Sequence, residues 1–232
     1  MLGVVQLETS YGQTRILRGV TFEVGRGEIV AVLGRNGAGK TTLLRSIMGL
    51  TPARSGRILF KDLEITRLPT YKIAALGISY VPQGKHIFPR LSVADNLKLG
   101  TRVQRSAQKV VPPGVFDYFP VLAERLGQMG ATLSGGEQQM LALARGLVGE
   151  PELMLLDEPS ESLQPNLVEA IKEIILRVCR DRGVAILLVE QNLDFARSLA
   201  RQYYVMENGS IVLRGETHDL TDEEVIRQYL AV

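Results

Sequence analysis

The chain has 232 residues, enough for one large domain or a domain with a subdomain. Hydrophobic residues make up 45% and charged residues 22%, the balance of a globular protein, and a net charge of +2 is no footprint for nucleic acid. The single cysteine, Cys179, excludes an internal disulfide, and the longest apolar runs, such as 184–189, fall far short of the about 20 residues of a spanning helix.

Residues 4–7, 16–24 and 29–33 read as short strands punctuated by Gly12, Gly25 and Gly27. The opening MLGVVQLETSYGQ lacks a basic stretch followed by an apolar core, so no secretory signal is expected there. A helix is predicted after Gly39, with Leu43, Leu44, Ile47 and Met48 on one face. Residues 57–60 and 78–81 read as two more strands. From Gln83 to Gly130 the texture changes: Pro89, Pro112, Pro113 and Pro120 separate short helical patterns, as in an inserted helical subdomain. Its loosest part is VQRSAQKVVPPG, 103–114.

The α/β alternation returns with a helix over 135–147 and a buried strand over 153–156. Pro165 opens a helix whose apolar residues Leu167, Val168, Ile171, Ile174, Ile175 and Val178 repeat near 3.6. Cys179, at its end, reads as packing. The apolar run 184–189 stops at Glu190, Gln191 and Asn192, which puts two amides where open α/β sheets bind ligands. Asn208-Gly209 marks a hairpin between 203–207 and 211–213, and a last helix is predicted over 222–230.

Three stretches carry chemistry. GRNGAGKT (34–41) follows an apolar strand and precedes a helix, as a phosphate-binding loop requires. Gly34, Arg35, Asn36, Gly37, Ala38 and Gly39 can curl so that backbone amides point at one phosphate chain. Lys40 would reach the outer phosphates, the Thr41 hydroxyl would ligate Mg²⁺, and Thr42 continues the site. LMLLDEP (153–159) ends a buried strand in two carboxylates. Asp157 suits a water-mediated contact to Mg²⁺. Glu158, one residue on, is expected to point to the other face of the strand and to polarise water as a general base. In LSGGEQQMLALARGL (133–147), Ser134, Gly135 and Gly136 open a helix, which is either a second anion nest or an ordinary capped terminus.

GRNGAGKT, LSGGE and LMLLDE, with 20 residues between Gly136 and Asp157, together closely resemble ABC-type ATPases over nearly the whole chain. The resemblance implies an α/β fold: a P-loop NTPase core of ABC type with an antiparallel β subdomain and an inserted helical subdomain. The whole chain, 1–232, is then one nucleotide-binding domain. Its core covers 1–82 and 148–232, and the helical subdomain with its signature helix about 83–147. The resemblance further implies that Tyr11 stacks on adenine and that Gln83 meets Mg²⁺. Leu133, Ser134, Gly135, Gly136 and Glu137 would act on ATP bound to a second ATPase chain. Partners would be integral membrane permease subunits and, indirectly, a solute-binding protein, with no nucleic acid. The chain would sit peripherally on the cytoplasmic face of the membrane.

YGQTRILRGVTFEV, VPQGKHIFPRLSVADNL, DEPSESLQPNLV, LLVEQNLDFAR and YLAV look like ATP-binding subunits of branched-chain amino acid and urea importers, with GQTRILR and YLAV more like the urea type. The segment GKHIFPRLSVADNLKLG is the expected contact for a permease, with Phe88, Pro89 and Leu91 apolar and Lys85 and Arg90 at the rim. The alternative is a soluble ABC ATPase of DNA repair or of ribosomes, but no sustained heptads and no second domain support it.

Three positions depart from the general ABC pattern. Gln164 stands for an aspartate, Glu137 for a glutamine, and Gln191 for the histidine that contacts the γ-phosphate. The two histidines, His86 and His218, lie elsewhere. Gln191 can donate a hydrogen bond but cannot exchange a proton near neutral pH, so it is expected to sense phosphate while Glu158 activates water.

Overall fold

The computed structural model describes residues 1–103 and 110–217. Two sheets form its frame. The first is antiparallel, in the order β2-β1-β4-β5, from β1 (Leu2–Tyr11), β2 (Thr14–Val24), β4 (Ala53–Phe60) and β5 (Leu63–Glu64). The second contains β3 (Ile29–Leu33), β6 (Ile78–Val81), β7 (Leu153–Asp157), β8 (Ala185–Glu190), β9 (Gln202–Glu207) and β10 (Ser210–Glu216). Its order is β10-β9-β3-β8-β7-β6, parallel from β9 to β6, with β10 antiparallel at the edge.

The central strands are buried on both faces, which explains their continuous apolar runs. Strand alternation divides them between two cores. Ile29, Ala31 and Leu33 join Met154, Leu156, Ile186 and Leu188 on one face. Val30, Val32, Leu153, Leu155, Leu187 and Val189 face the other, against α1 (Lys40–Ile47) and the antiparallel sheet. The first core also takes in α3 (Val93–Gly100), α4 (Pro120–Ala123), α5 (Gly135–Val148), α6 (Pro165–Arg182) and α7 (Leu193–Leu199). Among the described residues of 83–147, the regular elements are helices: α3, α4, α5 and short 3-10 turns.

The strands and helices predicted within the described residues are present, and three further elements are not legible in the sequence. These are β5, α2 (Thr70–Ala75) and α7. Each is short, so its hydrophobic periodicity is too brief to read. The amide of Asn192 has a structural use: its Oδ1 accepts the Phe195 N–H at 3.0 Å and caps α7. Cys179 is half-buried, its thiol donates to the Gly27 carbonyl, and burial raises its pKa. His218, the predicted 222–230 helix and most of the loose 103–114 stretch lie outside the described residues. Among the described residues, no helix is long and apolar enough to cross a membrane.

Candidate functional site

The carboxyl ends of β3, β6, β7 and β8 converge on one region, where parallel sheets bind ligands. The loop leaving β3 enters α1 through Gly39, whose φ of 109° is open to glycine and strained for other residues. That turn places Lys40 at the first position of α1, only 4% exposed. Its ammonium donates to the Gly34 carbonyl at 2.8 Å and the Arg35 carbonyl at 3.2 Å, and pairs with Glu158 Oε1 at 2.9 Å. A buried ammonium is tolerable because all three donors are matched.

Beside it, the Thr41 hydroxyl donates to Asp157 Oδ1 at 3.1 Å and the Tyr80 hydroxyl to Asp157 Oδ2 at 2.9 Å. Burial pushes the Asp157 carboxyl above its ordinary pKa, and these two hydrogen bonds act against the rise. Burial, then the Asp157 charge, raises the Tyr80 phenol as well. The Gln83 amide nitrogen donates to Glu158 Oε2 at 3.2 Å and to Glu161 Oε2 at 3.0 Å.

One expectation is corrected. Strand alternation placed Glu158 on the face opposite Asp157, yet both carboxylates reach the phosphate loop. The strand ends at Asp157, and Glu158 adopts φ 47°, a left-handed conformation that turns its side chain back toward Lys40. For a non-glycine residue this conformation costs about 1–3 kcal/mol, which the surrounding contacts must offset.

A cavity of about 280 Å³ is lined by Ile16, Asn36, Gly37, Gly39, Lys40, Thr41, Thr42, Gln83 and Glu158. An adjoining one of about 490 Å³ is bounded by Thr41, Arg45, Tyr80, Gln83 and Asp157. Predicted residues thus gather here from three distant parts of the chain. Gly34 and Ala38 are buried beneath the loop instead. Tyr11 lies beside α1, half exposed, its hydroxyl 3.2 Å from that of Thr51, a bond that lowers its pKa. Gln191 is half-buried and lines neither cavity.

The signature segment also lies outside both cavities. Ser134 caps α5 in a reciprocal box: its N–H donates to Glu137 Oε2 at 2.8 Å, and its hydroxyl accepts the Glu137 N–H at 3.3 Å. Ser134 and Gly135 are exposed, whereas Leu133 and Gly136 turn inward. A Cβ on Gly136 would stand 2.4 Å from a Leu167 methyl, so any larger residue there must displace the Leu167 side chain. Sequence reasoning missed Tyr80 and Glu161, which orient site residues, and Asn96. The fully buried Asn96 amide accepts the Phe88 N–H and donates to the carbonyls of Phe88, Leu91 and Ser92.

A phosphate loop and a strand-end carboxylate pair occur in many nucleotide hydrolases; a capped signature helix alongside them is more discriminating. Residues 17–161 match the ABC transporter family. The chain belongs to that family. As an ABC ATP-binding subunit it is 43% identical to the high-affinity branched-chain amino acid transport ATP-binding protein BraG of Pseudomonas aeruginosa, covering 99% of both chains. It is 37% identical to the lipopolysaccharide export system ATP-binding protein LptB of Escherichia coli K12, over 97% of this chain and 94% of that one. Its fold matches a nucleotide-free ATP-binding cassette from an ABC transporter, with a TM-score of 0.87, 23% identity and 97% of each chain covered. The ABC subunit is an ATPase, and it carries the P-loop core with its antiparallel and helical additions.

Proposed function

We propose that this ABC ATPase powers import of a branched-chain amino acid or a small amide through membrane permease subunits. The observation that carries the catalytic part is the meeting of Lys40, Thr41, Asp157, Glu158 and Gln83 at the two adjoining cavities. In this reading, Lys40 and the amides of the 34–39 loop hold the ATP phosphates, and Tyr11 stacks on the adenine. The Thr41 hydroxyl, the Asp157 carboxylate and the Gln83 carbonyl form a hard-oxygen donor set that fits Mg²⁺. The ion neutralises developing phosphate charge when bound. Glu158 accepts a proton from the attacking water. Its pairing with Lys40 and Gln83 keeps it aimed at the phosphate loop.

Ser134 and Gly135, exposed and away from this chain's own cavity, act on ATP held by a second ATPase chain. Gln191 reports on the γ-phosphate from the end of β8. The permease is received by a groove of about 360 Å³. Leu50, Phe88 and Leu99 line it at 47%, 49% and 38% exposure, and the Arg145 guanidinium lies 5.3 Å from the Phe88 ring centre. Asn96 holds the loop that presents Phe88. The subunit then acts at the cytoplasmic face of the membrane, served indirectly by a solute-binding protein.

The similarity to BraG favours branched-chain amino acids over urea as the solute class. Reconstitution of the chain with its permease and binding protein in vesicles tests this. Leucine, isoleucine or valine should stimulate ATP hydrolysis and accumulate inside. Stimulation by urea or short amides alone would reassign the solute. Net outward movement of a substrate would overturn import.

A further inference from the structure

The buried carboxylate at the end of β8 has no part in the chemistry above. Glu190 is only 2% exposed and joins two separate loops. Its Oε1 accepts the Ser160 N–H at 3.1 Å, and the Ser160 side chain adds a second hydrogen bond. Its Oε2 accepts the N–H groups of Gln191 and Asn192, both at 3.1 Å. One residue earlier on the same strand, the Val189 carbonyl accepts the Glu158 N–H at 2.9 Å. The backbone of Glu158 is therefore anchored to β8 at its own amide and again two residues later. Between those anchors lies the left-handed turn that brings the Glu158 carboxylate to Lys40.

We infer that Glu190 is a positioning residue for hydrolysis, holding the Glu158–Ser160 segment to β8 so that the Glu158 carboxylate stays aimed at the attacking water. This rests on the reading of Glu158 as general base. Without the Ser160 anchor, the backbone of the strained turn keeps only the Val189 bond to β8, and the side-chain contacts with Lys40 and Gln83 must hold the carboxylate against its relaxation. A displacement of about 1 Å in a catalytic group can cost about 100-fold in rate. The same carboxylate fixes the first two residues of the loop that carries Gln191, so both loops around the phosphate share one support.

Glu190→Gln is nearly isosteric and tests the idea selectively. The glutamine carbonyl should stay with the two donors Gln191 and Asn192, which turns its amide against the Ser160 N–H, breaks that backbone anchor and leaves only the Ser160 hydroxyl as a partner. Steady-state and single-turnover ATP hydrolysis should show kcat reduced about 10- to 100-fold. The KM for ATP should stay within about threefold, since the phosphate loop is untouched. In a Glu158→Gln background, the same substitution should lower the residual rate by less than about threefold, because its target is gone. Glu190→Asp, which keeps the charge but shortens the reach, should also lose kcat; it carries the test should Glu190→Gln fold poorly. An unchanged kcat, or a loss that persists undiminished in the Glu158→Gln background, overturns the positioning role. A Glu158→Gln single variant that hydrolyses ATP at the original rate instead overturns the general base, independently of Glu190.

Discussion

Replacing Tyr80 by phenylalanine removes one hydroxyl and leaves the ring in place. That hydroxyl donates to Asp157 Oδ2 at 2.9 Å, and Asp157 is 2% exposed. A hydrogen bond to a charged group contributes about 1.5–3 kcal/mol, and water from the adjoining cavity restores only part of it at a carboxylate this buried. For a chain of this size each kcal/mol moves Tm by about 2–4 °C, so Tyr80→Phe should melt about 3–12 °C lower at neutral pH. The pH dependence distinguishes this from a general packing loss. Burial already raises the folded-state pKa of Asp157, and Tyr80 is the largest opposing influence. Loss of the hydroxyl raises that pKa further. A raised folded-state pKa contributes stability that is present below the unfolded value and lost as pH rises through the folded value. The gap between wild type and variant should therefore be widest at neutral pH and close as pH falls and Asp157 becomes protonated. Differential scanning calorimetry of both proteins across pH measures it. A Tm difference below about 1 °C at neutral pH, or one that does not change with pH, would refute the assignment of Tyr80 as the support of Asp157.

Other substitutions probe separate parts of the molecule. Glu158→Gln should lower hydrolysis by about 10²- to 10⁴-fold and trap ATP in a stable dimer, measured by phosphate release and size-exclusion chromatography. Gln191→Ala should lower turnover as well; unchanged turnover would remove the sensing role. Asn96→Leu leaves the partly buried Phe88 N–H without its acceptor and the Phe88, Leu91 and Ser92 carbonyls without the Asn96 donor. It should cost about 1–3 kcal/mol in urea unfolding and abolish stimulation by the permease while basal hydrolysis persists. Glu137→Gln retains an acceptor for the Ser134 N–H but loses the ion pair with Arg125, whose Nε lies 2.9 Å from Glu137 Oε1. With Arg125 39% exposed, the loss should be about 0.2–1 kcal/mol by chemical denaturation. The Ser134 N–H holds the Glu137 carboxyl below its ordinary range, so its contribution is present above the unfolded pKa and fades as acid protonates it.

Local physics made much of this protein legible in the order of its residues. The GRNGAGKT loop needs glycines and a following helix, and both are sequence properties. The buried strands announce themselves as short apolar runs, and the serines before α3 and α5 cap helices through bonds that span three residues. What only the tertiary structure decided are relations between distant segments. Glu158 faces the phosphate loop because one residue takes a left-handed φ, which strand alternation cannot foresee. Tyr80 and Asp157 meet across 77 positions because β6 pairs with β7, and Glu190 meets Ser160 across 30 because β7 pairs with β8. A polar side chain at a strand end looks alike in sequence whether it faces solvent or holds a neighbouring loop. The sheet order brings the donors to it, and burial makes the bond matter.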